Sequence, residues 1–249
     1  MILFKKIQQR FYWFLKVGYR YFFFQTKFAG SINAIIYIHS SVVIKKSFIA
    51  ISEGSSLFIE EGTVINNLNL FIDGEVTIGK NNIINNASSL KNILINVNKG
   101  IFKLGCNNNI QSNIKIRFGG KLYIGMYNNI NAESEIRVDE YVRLGDFNQI
   151  SYKVNIWDTN THNIYKAEKR RELTINKFPI FGFEYERPKT KPVIIGDDCW
   201  IGREATLLKG VTLSNKCIVG YKTILLNCLV KKGCSVVPDI TNKFFTNKV

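Results

Sequence analysis

The stretch "VIIGDDCWIGREATLLKGVTLSNKCIVGYKTILL", residues 193 to 226, decides the fold of this 249-residue chain. One aliphatic residue returns at every sixth position, and the series consists of Ile195, Ile201, Leu207, Leu213, Val219 and Leu225. Four positions after each of the first five, a small or β-branched residue follows: Cys199, Ala205, Val211, Cys217 and Thr223. A period of six fits neither the α-helix, with about 3.6 residues per turn, nor the alternation of a simple strand. It is typical of a hexapeptide β-solenoid.

Three upstream blocks carry the same rhythm: "LGCNNNIQSNIKI", "IGMYNNINAESEI" and "LGDFNQISYKVNI", which begin at Leu104, Ile124 and Leu144. Corresponding positions are twenty residues apart, which equals three hexads plus a two-residue insertion. Each hexad makes one short strand and one turn, and three hexads make a triangular coil. Coils stack at about 4.8 Å, so each coil needs its neighbours to bury its aliphatic face. Weaker hexads extend this prediction back to about residue 31.

Two further sets of residues have a structural interpretation in such a solenoid. Asn108, Asn128 and Asn148 occupy the same slot of successive coils, which predicts a row of amides that satisfies the backbone of the turns. Cys199 and Cys217 lie one coil apart in the small inward position, so we expect them to fill the core rather than react.

Composition limits the function classes. Hydrophobic residues make up 46% and charged residues 21%, as in folded proteins. The net charge of +15 predicts an anionic partner, either a nucleic acid, a membrane surface or a small molecule such as a coenzyme.

Five cysteines without CxxC spacing and only two histidines argue against a metal site. No nucleic-acid motif is present. The chain has no apolar run near the roughly 18 residues that span a bilayer and no signal-peptide cleavage site, so we expect a cytoplasmic protein.

The first thirty residues differ from the rest, because their hydrophobic residues recur with helical periodicity. The apolar face consists of Phe4, Ile7, Phe11, Phe14, Leu15, Gly18 and Phe22. Eight Lys or Arg and no acidic residue lie between Met1 and Ser52. This predicts a basic amphipathic helix over residues 1–30, which either contacts an anionic membrane through residues 1–28 or packs on the fold or a sister subunit. The β-helix is expected over residues 31–237, with a loop excursion at 165–192, and a tail over 238–249.

The segment "KPVIIGDDCWIGREATLLKGVTLSNKCIVG" resembles the hexapeptide-repeat acyltransferases, whose pattern is I-G-D-x-x-W-I-G, then L-K-G-V-T-I, then V-I-G-A-G. "DTNTHN", residues 158–163, is similar to their Asp-Thr-Asp-x-His segment, with Asn160 in place of the second Asp. By this pattern the chain looks most like the sugar O-acetyltransferases of surface polysaccharide biosynthesis. The resemblance implies an all-β, left-handed parallel β-helix, a homotrimer, and acetyl-CoA as acyl donor without a metal.

The same resemblance gives His162 the role of general base. An imidazole titrates close to neutral pH, so it can take the proton of an acceptor hydroxyl during attack on a thioester. Asp158 either orients this imidazole or holds the turn. His39, the second histidine, is expected on the surface, far from these motifs.

Other binding residues are implied by the family pattern. Trp200 lines the acceptor site or covers the outer face of a coil, and Asn160 contacts substrate. Arg187, in an excursion rich in aromatic residues, contacts the sugar unless the excursion only covers a solenoid edge. The expected coenzyme groove consists of Gly202, Arg203, Gly220, Tyr221 and Lys222.

The chain departs from the family near its C-terminal end. Tyr221 replaces a small residue after Gly220, and the G-N-P-A-K segment of the family is absent. The resemblance as a whole implies an acetyl-CoA-dependent sugar O-acetyltransferase, and these departures concern the far end of its expected coenzyme site. The alternatives are N-acetylation of a nucleotide-linked amino sugar and a non-catalytic solenoid scaffold. A zinc carbonic anhydrase on the same solenoid needs three protein histidines, and the chain has two.

Overall fold

Parallel strands stacked into a solenoid form nearly all of the structure, a computed structural model that describes residues 12–13, 15–18, 20–85, 92–180 and 184–240. All strand pairs between named strands are parallel, and the solenoid has about ten turns. The strands form three stacks, which we call faces 1, 2 and 3. The turns between them form three edges: corner 1 joins face 1 to face 2, corner 2 joins face 2 to face 3, and corner 3 joins face 3 to face 1.

The strands divide among the faces by register. Face 3 holds β1 (Lys27–Gly30), β4 (Phe48–Ile51), β11 (Asn113–Ile116), β14 (Glu135–Val138), β17 (Asn155–Trp157), β20 (Thr206–Leu207) and β23 (Ile224–Leu225). Face 1 holds β2 (Ile35–Ile38), β5 (Ser56–Ile59), β12 (Lys121–Ile124), β15 (Tyr141–Leu144), β18 (Val193–Ile195), β21 (Thr212–Leu213) and β24 (Leu229–Val230). Face 2 holds β3 (Val43–Lys45), β6 (Val64–Asn66), β8 (Ile83–Asn85), β10 (Asn109–Ile110), β13 (Asn129–Ile130), β16 (Gln149–Ile150), β19 (Trp200–Ile201), β22 (Ile218–Val219) and β25 (Ser235–Val236).

Two long strands, β7 (Leu68–Ile78) and β9 (Ile93–Leu104), run through corner 3 and belong to both faces 3 and 1. The pairing register shifts between Asp73 and Gly74, where the strand bends. Gly74 has a φ of 144°, and a Cβ there would collide with the backbone of Gly100 in the next coil. Glycine is therefore required at this bend.

The core is the inside of the prism. All six aliphatic residues of the decisive series are buried, from 0% exposure at Ile201 to 8% at Leu225. Cys199 and Cys217 are also buried, as core fillers, and burial raises the pKa of both thiols. The predicted β-helix class is confirmed, and the architecture matches a left-handed β-helix.

The predicted row of asparagines is confirmed and has one more member, Asn82. Asn108 Nδ2 donates to Asn82 Oδ1 and Asn128 Nδ2 donates to Asn108 Oδ1, each at 3.0 Å. Each Oδ1 also accepts the backbone N–H of the next asparagine, and the row ends with Asn148 Oδ1 accepting from Cys199 N–H at 2.8 Å. These amides satisfy the buried backbone of corner 1.

The described part of the N-terminal segment packs on the first coil. Residues 12, 13 and 15–17 are helical, and α1 spans Arg20–Phe23, while residues 1–11, 14 and 19 of the expected apolar helix lie outside the described residues. Trp13 is 1% exposed and stacks on Phe28 at 5.8 Å. Lys16 Nζ donates to Ala34 O at 2.6 Å. Of the two alternatives, packing is therefore observed here, and membrane contact stays a prediction.

The excursion contains an element that the sequence analysis did not predict. α2 spans Ala167–Lys177, within what was expected to be a loop. Its sequence is rich in helix-favouring Ala, Glu, Lys, Arg and Leu, and Lys169 pairs with Glu172 at 3.3 Å. The helix buries none of its side chains. Within the described ranges, no helix has the length and apolar character to cross a membrane.

Candidate functional site

The candidate site lies where the excursion leaves corner 3. The chain leaves the coil after β17, and it returns to the solenoid at β18. A short antiparallel bridge joins Thr159 to Thr190, and Asn160 N–H donates to Lys189 O at 3.0 Å. The two ends of the excursion are thereby fixed against each other. This fixes the base of the segment that carries His162.

His162 forms a pair with a carboxylate that the sequence analysis did not single out. Its Nδ1 lies 3.0 Å from Glu184 Oε1. The imidazole is 58% exposed, whereas the Glu184 side chain is only 5% exposed. A carboxylate only accepts hydrogen bonds, so in the neutral imidazole this contact places the proton on Nδ1 and leaves the lone pair on Nε2. An accessible imidazole held by a buried carboxylate is suited to take up a proton.

Glu184 is itself held by the neighbouring asparagine. Asn163 Nδ2 donates to Glu184 Oε2 at 2.8 Å, and the Asn163 backbone N–H donates to the same oxygen at 3.2 Å. Asn163 Nδ2 also donates to Glu186 O at 3.1 Å. The carboxylate therefore has three donors on its two oxygens, and residues from both ends of the excursion fix the orientation of the His162 ring.

Asp158 takes the second of the two roles left open for it, because it holds the turn. The side chain is fully buried, and its oxygens accept the backbone N–H groups of Asp139, Glu140 and Tyr141 at 2.7 to 2.8 Å. Burial raises its pKa from 3.8 to about 6, against the lowering effect of these three hydrogen bonds. The carboxylate that contacts the imidazole is Glu184, and Asp158 contacts the preceding coil.

A chain of polar contacts links the His162 segment to two earlier coils. Arg117 binds Asp139 through two hydrogen bonds of 2.8 and 2.7 Å, and Asp139 is fully buried. Thr159 Oγ1 donates to the same carboxylate at 2.7 Å, and Arg117 Nη2 donates to Thr161 O at 3.3 Å. The peptide that precedes His162 is thus bound to a guanidinium that the solenoid holds in place.

The segment is also bound from the following coil. Lys209, in corner 3 after β20, donates from Nζ to Asn160 Oδ1. The predicted substrate residue Asn160 therefore has a protein partner, and that partner brings an ammonium group beside the His162 segment. Asn160 itself is exposed.

The five residues expected in the coenzyme groove do come together, but at another edge. Gly202, Arg203, Gly220, Tyr221 and Lys222 lie in corner 2, in the turns after β19 and β22. Glu204 lies between the two cations, 3.4 Å from Arg203 Nε and 3.6 Å from Lys222 Nζ. Lys222 Nζ stands 5.1 Å from the centre of the Tyr221 ring. The pKa of Lys222 is raised, first by the adjacent Tyr221 side chain and then by the Glu204 carboxylate.

Within one chain, face 3 separates these residues from His162. The chain enters face 3 at corner 2 and leaves it at corner 3, so the width of face 3 lies between the expected coenzyme residues and His162. Trp200 lies on the outer side of face 2 with 59% exposure. Arg187 is exposed in the excursion, three residues after Glu184. Of the expected site residues, the structure therefore brings Asp158, Asn160 and Arg187 into the same region as His162.

Glu184, Arg117 and Lys209 also belong to this region, although no motif in the sequence pointed to them. Arg117 and Asp139 lie twenty-two positions apart, and Asp139 and Thr159 lie twenty apart. This coil spacing was a usable signal for contact. Glu184 lies outside the repeat, so no spacing pointed to it.

No protein-family model matches the chain, and no curated protein matches it. Among solved structures, the chain is similar to the polySia-specific acetyltransferase NeuO, at 17% identity over 86% of this chain and 80% of that chain, with a TM-score of 0.48. It is similar to the polysialic acid O-acetyltransferase OatWY, at 20% identity over 86% and 93%, with a TM-score of 0.49. It is also similar to a UDP-N-acetylglucosamine acyltransferase of Arabidopsis, at 15% identity over 83% and 70%, with a TM-score of 0.49.

Likeness at this level concerns chain topology and does not extend to function. These structures fit the family that the sequence resembles. The strand registers of this chain establish the same architecture independently, as a parallel β-solenoid of hexapeptide repeats.

Proposed function

We propose that this protein moves an acetyl group from acetyl-CoA to a sugar hydroxyl in surface polysaccharide biosynthesis, with His162 as general base. One observation carries the proposal: the exposed His162 imidazole is bound through Nδ1 to the buried Glu184 carboxylate. A histidine that only filled a turn would not need a buried carboxylate as its partner.

The proposed reaction uses the lone pair on His162 Nε2. This nitrogen takes the proton of the acceptor hydroxyl while the hydroxyl oxygen attacks the thioester carbonyl carbon. A carbon–oxygen bond forms, the carbon–sulfur bond breaks, and the leaving thiolate takes the proton back from the imidazolium. Glu184 stabilises the imidazolium that exists between these two transfers.

A homotrimer accompanies this proposal. The corner 2 residues expected to hold coenzyme A and the His162 segment at corner 3 lie on opposite sides of face 3. If both take part in one reaction, the corner 2 edge of one chain must meet the corner 3 edge of a neighbour. Cyclic assembly of identical chains provides such a pairing three times over.

Membrane contact also belongs to the proposal, since the protein is expected in the cytoplasm next to lipid-linked acceptors. Leu15 and Phe23 are 67% and 78% exposed, in a segment without acidic residues. Replacing both by Ser leaves buried Trp13 in place. We expect the parent chain to partition into anionic liposomes and this variant to lose that partition. Equal partition of the two proteins would contradict membrane contact.

The first test is calorimetric titration of acetyl-CoA into the assembled protein, because it needs no knowledge of the acceptor. We expect saturable binding near one site per chain, and the same binding with His162→Ala. Product analysis with hydroxyl and amino acceptors then separates O-acetylation from N-acetylation, and transfer must be lost in His162→Ala. Absence of binding in a folded, assembled sample would favour the scaffold alternative and overturn the proposed activity.

A further inference from the structure

A groove on the outer side of face 1 lies outside the His162 region. It has a volume of about 310 Å³, at the small end of ligand sites. Its floor is a row of glycines, and a Cβ at Gly125 or Gly145 would collide with a carboxylate of the next coil. Its polar walls are formed by Lys103, Tyr123, Arg143, Asp146 and Asp197.

Two cations in this groove have no acidic partner. Lys103, Tyr123 and Arg143 are register partners on β9, β12 and β15, so they stand in one row across three coils. Lys103 and Arg143 are exposed, and neither forms an ion pair with any described residue. Lys121, in the neighbouring row, is also exposed without an ion pair in the described ranges. Asp146 and Asp197 lie in the same groove but form no ion pair with Lys103 or Arg143, so both cations are open to an anionic ligand.

Aromatic rings separate the cations. Lys103 Nζ lies 5.9 Å from the centre of the Tyr123 ring, and the Tyr123 and Tyr141 rings are 5.8 Å apart. Both tyrosines are half-buried. A tyrosine ring offers a flat apolar surface on which the C–H face of a pyranose packs, next to a hydroxyl that forms hydrogen bonds.

The two carboxylates have fixed positions. Asp146 Oδ1 accepts Met126 N–H at 2.7 Å. Asp197 Oδ1 accepts Asp146 N–H at 2.9 Å, and its Oδ2 accepts from Asn215 Nδ2 at 3.0 Å. Asp146 Oδ2 is the acceptor left for a ligand hydroxyl. A phosphodiester chain would meet these carboxylates as like charges, whereas a sugar acid presents hydroxyls to them.

We infer that this face 1 groove binds an acidic glycan, with sugar carboxylates at Lys103 and Arg143, a sugar ring at Tyr123 and a hydroxyl at Asp146. The β15 strand of the groove is joined to corner 3, because Tyr141 N–H donates to Asp158 at 2.7 Å. A glycan bound there lies on a face that ends at the His162 region. That this glycan is the acetyl acceptor rests on the proposed function, whereas the binding does not.

The test is direct binding of defined oligosaccharides to the full chain at about 0.15 M salt, where long-range attraction is screened. The acidic probes are oligomers of galacturonate, hyaluronan and sialic acid. The neutral probes are the methyl ester of the galacturonate oligomer and a malto-oligosaccharide. The groove variant is Lys103→Gln with Arg143→Gln. The control variant, Lys27→Gln with Lys232→Gln, removes the same charge at exposed positions towards the two ends of the solenoid.

We expect at least one acidic probe to bind, its neutral counterpart to bind about tenfold more weakly or not at all, and the groove variant to lose about tenfold in affinity. The control variant should bind as the parent does. The inference is overturned if no acidic probe binds, if neutral probes bind equally well, or if both variants behave alike. Tighter binding of single-stranded RNA that the groove variant loses would also overturn it. Acetyl-CoA titration of the same variants separates the two proposals, since glycan binding stands even where the coenzyme does not bind.

Discussion

At the scale of single residues, His162 shows how context changes the meaning of a lone histidine. The exposure of the His162 side chain alone would suggest an ordinary surface residue. His39 fits that description, and its Nδ1 lies 2.9 Å from the hydroxyl oxygen of Ser41. The buried partner Glu184 makes the difference, because a carboxylate is placed out of water only where its hydrogen bonds are provided. Asn163 provides them.

Glu184→Gln tests this positioning role. The amide keeps the shape but removes the charge that stabilises the imidazolium. We expect kcat to fall about tenfold to a hundredfold, with the KM for acetyl-CoA and the melting temperature unchanged. The matched control is Glu186→Gln. The Glu186 side chain is exposed, and its backbone carbonyl accepts a hydrogen bond from Asn163. Two outcomes would show that Glu184 is only a structural residue. One is an unchanged kcat, and the other is a fall in melting temperature as large as that of a destabilised core variant.

Asp158 predicts a pH dependence of stability. Its pKa of about 6 in the folded protein lies above the ordinary 3.8, because burial disfavours the charged form. The folded state therefore binds this proton more tightly than the unfolded chain. Its contribution to stability is fully present below about pH 4 and is lost as the pH rises through 6, with a total of about 3 kcal/mol.

Thermal unfolding of Asp158→Asn between pH 4.5 and 7.5 checks this contribution. We expect the variant to lack the gain in stability that the parent shows on acidification, and to be less stable overall, since its amide NH₂ faces backbone donors. Asp239→Asn, at an exposed aspartate, should keep the pH profile of the parent. A parent profile retained by Asp158→Asn would assign the pH dependence to another group.

At the scale of elements, the solenoid replaces long strands by many short strands held in register by their turns. Several face 2 strands, from β10 onward, have only two residues each, so the row of corner asparagines supplies much of the order between coils. Asn128 is 1% exposed, its Nδ2 has three oxygen acceptors within 3.2 Å for its two N–H groups, and its Oδ1 accepts Asn148 N–H.

Asn128→Ala removes this amide from the middle of the row. Several buried donors and acceptors lose their partner at about 1–3 kcal/mol each, so we expect a total loss of about 3 kcal/mol or more. Asn129→Ala, which removes one half-buried hydrogen bond to Asn109, should cost less than about 1 kcal/mol. Denaturant unfolding of both variants measures the difference. Equal losses would show that the buried row adds no stability beyond that of an outer contact.

α2 illustrates an element that repeat analysis does not reach. It lies outside the hexads, buries none of its side chains and has low amphipathic character, so neither periodicity nor core packing predicted it. Local propensity alone favoured it, and propensity is a weak predictor where hydrophobic patterning is absent.

At the scale of the whole molecule, the expected coenzyme residues and the proposed general base, His162, lie at different edges of one prism. Mixing two variant chains tests whether neighbouring chains complete the site. One variant is His162→Ala and the other is Arg203→Glu with Lys222→Glu. Each should be inactive alone. An interface is complete when the His162→Ala chain supplies corner 2 and the other variant supplies corner 3. In a random mixture of equal amounts, about one quarter of the interfaces meet this condition, so we expect about one quarter of the parental activity.

Refolding or co-expression of the two chains, followed by a transfer assay, gives this measurement. Two parental chains mixed in the same way serve as the control for assembly. Activity that does not recover in well-assembled mixtures would contradict a site shared between chains. It would also return the search for coenzyme contacts to corner 3, where Lys209 lies beside the His162 segment.

The sequence by itself determined the prism, because a six-residue period leaves no other regular structure in which every sixth side chain is buried. It also determined the inward place of Cys199 and the asparagine row, since both follow from coil spacing. It placed His162 at the edge of the repeat. Only the tertiary structure decided which carboxylate holds the imidazole, because Glu184 returns from an excursion whose path no repeat specifies.

The tertiary structure also decided the role of Asp158 and the distance between the two expected halves of the site. A carboxylate beside a histidine in sequence points wherever the local backbone turns it, and here three N–H groups of the preceding coil bind it. His162 and Arg203 lie at different corners because the excursion leaves the solenoid at corner 3, and the chain then passes through faces 1 and 2 before it reaches Arg203. The groove of face 1 arises for the same reason, since stacking places Lys103, Tyr123 and Arg143 side by side although twenty residues separate each from the next.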